Sequence, residues 1–237
     1  MSREPMSREP LRARIGFLRR LLAQDCILCA APSGDTLFCA GCAHDLPELG
    51  EACPQCAGPS PGGAVCGTCL SDPPSFDATV AAWRYGFPVD RLVLALKYGG
   101  RLALARAFGA ALAARVADRR VDLLVPMPLA PPRLRERGFN QAMEIARVLA
   151  RGTRFTVAPQ LVARVRDTPP QTDLPHAARA ANVRGAFACM RAVAGLSLAI
   201  VDDVMTTGAS LEELAGTLKR AGAARVENWV VARAWLR

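Results

Sequence analysis

From Ala78 onward the apolar positions of the chain alternate between two rhythms. Short, mostly apolar runs of strand length occupy Ala78 to Tyr85, Val121 to Val125, Leu198 to Val201 and Val226 to Val231. Between them, Val89 to Lys97, Leu102 to Ala117, Phe139 to Arg151 and Ala209 to Ala221 carry their apolar residues at helical spacing. The stops agree with this division: Gly99-Gly100 separates the first two helices, Gly152 ends the third, and Gly222 follows Lys219 and Arg220 at the end of the fourth. Strands alternating with helices of this length predict an α/β domain with a mostly parallel sheet flanked by helices.

Ahead of this domain the rhythm is lost. Residues 11 to 22 put Leu11, Ile15, Leu18 and Leu22 on one helical face with Arg12, Arg14, Arg19 and Arg20 around it, so residues 1–25 form a basic amphipathic segment. Its apolar run is too short and too charged for a membrane span or a signal peptide. No transmembrane segment and a cytoplasmic location are expected.

Eight of the nine cysteines then fall within residues 26–72. They form four knuckles, Cys26/Cys29, Cys39/Cys42, Cys53/Cys56 and Cys66/Cys69, each with two residues between its cysteines. That spacing lets both thiolates of a knuckle face one ion, and two knuckles complete a tetrahedral Cys₄ zinc site. The expectation is a double zinc ribbon holding two structural zinc ions, either as consecutive pairs of knuckles or interleaved. Four disulfides would need an export signal, which the sequence does not carry here. The sharp change in cysteine use, followed by Asp72-Pro73-Pro74, places the start of the α/β domain at residue 73, and that domain runs to residue 237.

Composition changes the picture in one respect. The net charge is +9 and only 5% of residues are aromatic. Basic charge favours anionic partners such as phosphates or nucleic acid. Few aromatic residues argue against a surface built to stack bases.

The most informative segment is Leu198 to Ser210, LAIVDDVMTTGAS. An apolar strand leads into Asp202 and Asp203, then into small and hydroxylated residues, then into a helix. Thr206, Thr207, Gly208, Ala209 and Ser210 can offer N–H groups and hydroxyls to an anion at a helix N-terminus. The two carboxylates upstream would repel that anion but can accept hydrogen bonds from the hydroxyls of an attached ribose. An acid pair followed by a phosphate cradle reads as ribose 5-phosphate recognition; the rival reading, one Asp capping the helix, leaves the second Asp without a purpose.

This segment resembles the phosphoribosyl pyrophosphate (PRPP) signature of type I phosphoribosyltransferases. The rest resembles the ComF family, associated with bacterial competence, through Leu96-Lys97-Tyr98-Gly99-Gly100, Val125 to Leu129, Arg133, Arg137 to Gln141, Arg166 to Gln171, and Arg179, Asn182 and Gly185 to Phe187. A cysteine-rich ribbon ahead of the transferase domain also fits that family. The resemblance implies a type I phosphoribosyltransferase-like fold, PRPP with Mg²⁺ as ligand, transfer of the phosphoribosyl group, and a place in DNA uptake or nucleotide salvage. Pro126 to Leu129 followed by Arg133, Arg135 and Arg137 reads as a strand-end loop with bidentate donors for a second anion, and Gly138 opens the next helix. The resemblance implies that pyrophosphate lies near Pro126 to Leu129, with Lys97, Arg133, Arg137 and Arg179 as candidate contacts. Arg164 to Arg184 is then expected to be a loop that closes over the ligand. No nucleophilic triad is present or required. Single-stranded DNA and DNA-uptake proteins are the further partners to be expected, and a PRPP- or nucleotide-sensing module is the alternative to an enzyme.

Overall fold

The computed structural model describes residues 24–151, 153–166 and 181–235. The basic segment at 11–22 and Arg179 lie outside the described residues. Those up to Leu46 form one compact unit and those from Pro47 onward another, so the division falls between the two pairs of cysteine knuckles.

The first unit contains a small antiparallel pair, β1 (Gln24–Asp25) and β2 (Pro32–Gly34), and the short helix α1 (Ala40–His44), which starts directly after Cys39. In the second unit, α2 (Gly67–Ser71) starts directly after Cys66 in the same way. Neither segment contains enough apolar residues to bury a core of its own.

The larger unit then alternates as expected: β3 (Ala78–Arg84), α3 (Val89–Gly99), α4 (Ala103–Arg115), β4 (Leu123–Pro126), α5 (Pro131–Arg137), α6 (Gln141–Arg151) and β5 (Thr156–Val157). A two-stranded antiparallel pair follows, β6 (Val162–Arg164) with β7 (Phe187–Cys189), and then β8 (Ser197–Met205), α7 (Ala209–Arg220) and β9 (Arg225–Arg233). Five strands form one sheet in the order β3-β9-β8-β4-β5, and every pairing in it is parallel. A parallel sheet needs cover on both faces. On one face Leu198 and Ile200 of β8 join Leu211, Leu214 and Leu218 of α7 in a single apolar cluster. Helices α4 and α6 pack on the sheet and on each other, and Gly109 of α4 allows a contact so close that a Cβ there would sit 2.7 Å from Val148.

Three elements differ from the expectation. Residues 131–137, taken as loop, are helical, because Pro131 and Pro132 occupy the first turn, where a missing N–H costs nothing. Gly138 therefore ends that helix, with φ +78°, and does not open the next one. Arg164 is the last residue of β6, not the start of a loop.

Strand order also selects where a ligand can bind. From β4 the chain next enters the sheet on one side, at β5, and from β8 it next enters on the other side, at β9. Adjacent strands whose connections part in this way leave a crevice beyond their carboxyl ends, where open α/β sheets bind ligands.

Candidate functional site

The carboxyl ends of β4 and β8 lie side by side, with Pro126 opposite Val201, and the Met127 N–H donates to the Val201 carbonyl at 2.9 Å. Strand β8 runs four residues further than the apolar run alone suggests, so Asp202 and Asp203 stand on the strand beside the crevice. Neither carboxylate caps a helix. The N-terminal cap of α7 is Gly208, whose φ of +83° would strain any residue with a Cβ. Thr207 Oγ1 accepts from the Ala209 N–H at 3.3 Å, which closes the turn into the helix. Ser210 lies in the first turn of α7, whose opening N–H groups have no acceptor within the helix.

Helix α3 supplies the countercharge. Gly100, with φ +61°, caps its C-terminus and places Lys97 in its last turn, and Lys97 Nζ lies 2.8 Å from Asp203 Oδ1. Asp203 Oδ2 is buried and has no hydrogen-bond partner among the described residues. A buried carboxylate oxygen of this kind calls for a donor. Asp202 is held differently: its Oδ1 accepts the Asp203 N–H at 2.8 Å. Burial, and then the neighbouring Asp203 charge, push its carboxyl up to about 7 despite Lys97 nearby. Burial alone would lower the Lys97 ammonium, but the Asp203 carboxylate outweighs it and the net shift is upward. Tyr85 is also near these groups, and burial raises its phenol above the ordinary range.

Helix α5 brings the arginines. Arg133 and Arg137 are four residues apart and so share a helix face, and both are half-buried. The Arg137 guanidinium stands 5.2 Å from the centre of the Tyr98 ring and donates to Gln141 Oε1 at 2.5 Å. Asn140 fixes the crevice wall: its Nδ2 donates to the Met127 carbonyl at 3.0 Å, and its Oδ1 accepts the N–H groups of Ala142 and Met143. Lys97, Arg137 and the two aspartates are thus brought together. Lys97 is held against Asp203 in this arrangement.

The cysteines group as consecutive pairs of knuckles. Cys26, Cys29, Cys39 and Cys42 form one cluster and Cys53, Cys56, Cys66 and Cys69 the other, with all ligand atoms of each within 4.8 Å of one another. Tetrahedral zinc with bonds of about 2.3 Å requires sulfurs about 3.8 Å apart. Cys29 to Cys39 and Cys56 to Cys66 are each 3.7 Å. Backbone N–H groups of Cys42 and Cys66 point at Cys39 Sγ and Cys53 Sγ, as suits thiolates. Two Cys₄ clusters fit two structural zinc ions.

Residues 17–70 match the family model of the double zinc ribbon domain. The DNA utilization protein YhgH of Salmonella typhi is 35% identical over 168 residues, which cover 68% of this chain and 74% of that protein. This chain belongs to the ComF family. Another ComF relative, Competence protein F of Haemophilus influenzae, is 29% identical over 171 residues, covering 68% of this chain and 75% of that protein. Among solved structures, the purine phosphoribosyltransferase of Pyrococcus horikoshii matches 56% of this chain and 80% of its own, with 16% identity and a TM-score of 0.33. The allosteric regulatory enzyme of purine biosynthesis matches 53% of this chain and 25% of its own, with 21% identity and a TM-score of 0.32. At these values neither likeness bears on the site.

Several residues of the site gave little warning in the ComF sequence. Tyr85, Tyr98 and Gln141 look like ordinary ends of elements, although the last two stand in family motifs. Arg233, which donates to the Met205 and Thr206 carbonyls at the start of the loop into α7, has no local signal at all.

Among the described residues no helix is long and apolar enough to cross a membrane.

Proposed function

We propose that this protein is a ComF-type phosphoribosyltransferase that binds PRPP in the crevice between β4 and β8. The observation that carries this reading is Asp203, a buried carboxylate with one oxygen on Lys97 and the other unpartnered, beside the helix N-terminus at Thr206 to Ser210. On this reading the 5′-phosphate sits on that N-terminus, the ribose hydroxyls donate to Asp202 and Asp203, and pyrophosphate lies toward Met127 and the arginines of α5. By the family resemblance, Arg179 is a further candidate contact to PRPP.

The step is displacement at C1 of the ribose. The bond from C1 to the pyrophosphate oxygen breaks as an acceptor bonds to C1, with positive charge building on the ring in between. The chain's residues orient the sugar and stabilise the departing anion and need not supply a covalent nucleophile. Mg²⁺ would arrive on the pyrophosphate as part of the substrate, retaining water and phosphate oxygens around it.

Replacing Asp202 and Asp203 together by Asn keeps their size and removes two charge-assisted acceptors, each worth about 1.5 to 3 kcal/mol. PRPP affinity, measured by calorimetric titration with magnesium, should fall at least about tenfold. Asp202→Asn alone leaves the Lys97 pair intact and should lose part of that. Pyrophosphate release in a screen of free bases and nucleotides would establish transfer. PRPP binding without release by any acceptor would leave a sensing module, and no binding by the unaltered protein would refute the reading.

The net charge of +9 and the names of the relatives favour a second function in DNA use or uptake, through single-stranded DNA or uptake proteins. Binding to single-stranded DNA should weaken steeply with salt. Absence of binding at low salt would leave protein partners as the route.

A further inference from the structure

Arg233 is the last residue of β9, 9% exposed, with no carboxylate at ion-pair distance among the described residues. Its guanidinium spends its donors on backbone carbonyls in two places. Nε donates to the Cys56 carbonyl at 2.8 Å, inside the second cysteine cluster. Nη1 donates to the carbonyls of Met205, at 3.1 Å, Thr206 and Ala234. One planar group, 177 positions from Cys56 in the sequence, therefore joins a knuckle to the start of the loop at Met205 and Thr206. A lysine has one nitrogen and no fork, and cannot hold both places together.

The consequence for the loop follows from the peptide plane. In a trans peptide the carbonyl of one residue and the N–H of the next point in opposite directions. Drawing the Thr206 carbonyl onto Arg233 turns the Thr207 N–H to the opposite side of that peptide, away from Arg233, and so fixes which way it faces in the loop. The Met205 carbonyl has a second donor, the Ala234 N–H at 2.9 Å. Among the described residues the Thr206 carbonyl has no such backbone donor, so its orientation depends on the guanidinium. Four thiolates around a zinc ion would carry net negative charge, and Cys56, Cys66 and Cys69 stand near enough to Arg233 to favour its charged form.

We propose that Arg233 is a positioning residue through which the second cysteine cluster sets the shape of the phosphate loop, so that anion binding there depends on metal in that cluster and not in the first. The dependence on an anion rests on the function proposed above; the mechanical link does not.

Hydrogen exchange of the full-length, ligand-free protein tests the link. Amides of residues 206–210 should exchange about tenfold faster in Arg233→Lys and in Cys56→Ser, while amides in the middle of β8 and β9 keep their protection. Cys29→Ser, which removes a ligand of the first cluster, should leave 206–210 unchanged, with zinc content confirming which site each serine variant has lost. Should Cys56→Ser fail to fold, Arg233→Lys decides alone. Unchanged exchange at 206–210 in a folded Arg233→Lys protein overturns the proposal, as does equal acceleration by Cys29→Ser. Faster loop exchange in a protein whose parent never bound PRPP would uphold the link and remove the phosphate reading instead.

Discussion

Substituting Lys97 by Met tests the electrostatics of the site without touching either aspartate. Lys97 Nζ and Asp203 Oδ1 are 2.8 Å apart, and their side chains are 22% and 4% exposed. Removing one member of a buried pair leaves the other as an uncompensated charge and costs about 3 to 5 kcal/mol. Lys97 is partly open to water, which can enter where the ammonium was, so the lower end of that range, about 3 kcal/mol, is expected. For a domain whose total stability is about 5 to 15 kcal/mol this is a large fraction. All three tryptophans, Trp83, Trp229 and Trp235, lie in the unit from Pro47 onward. Urea unfolding followed by tryptophan fluorescence therefore reports on that unit. Adding Asp203→Asn to Lys97→Met removes the orphaned charge and should restore much of the loss, giving a coupling energy of opposite sign. A loss below about 1 kcal/mol in the single variant, or a double variant no better than the single, would refute the view that Asp203 is a buried charge balanced by Lys97.

Three further outcomes are expected. Protein purified without added zinc should contain two zinc ions per chain, reduced to one in Cys29→Ser, as measured by atomic emission; a metal-free protein with disulfides would overturn the assignment. Because Asp202 titrates near 7 in the fold, against the 3.8 of an unperturbed carboxyl, the folded state holds a proton the unfolded state releases. Stability should consequently fall as pH rises from about 4 to about 7, and Asp202→Asn should flatten that slope in denaturation curves. Gly109→Ala would force a Cβ to within 2.7 Å of Val148 and 3.0 Å of the Ile145 carbonyl, and should destabilise the packing of α4 on α6 by about 1 to 3 kcal/mol in the same urea assay.

Much of this molecule is determined locally. Strands of a parallel sheet covered on both faces are mostly apolar, so β4, the first half of β8 and much of β9 announce themselves in the chain, and paired knuckles two residues apart have the spacing of a Cys₄ metal site. The course of the segment from Leu198 to Ser210 is legible for the same reason, since strand, acid pair and glycine turn are contiguous there. Periodicity could not show that β8 continues through Asp202 and Asp203, because polar residues at a strand end look like loop until the neighbouring strand is known. Nor could it show helix α5, whose two prolines and three arginines carry no apolar stripe. Tertiary structure alone decided which charges meet. Lys97 reaches Asp203 because the end of α3 lies against the end of β8, and Arg233 joins Cys56 to Thr206 because the β9 terminus passes between the second cluster and the loop. Such pairings follow from strand order, a property of the whole sheet that leaves no mark on the residues it brings together.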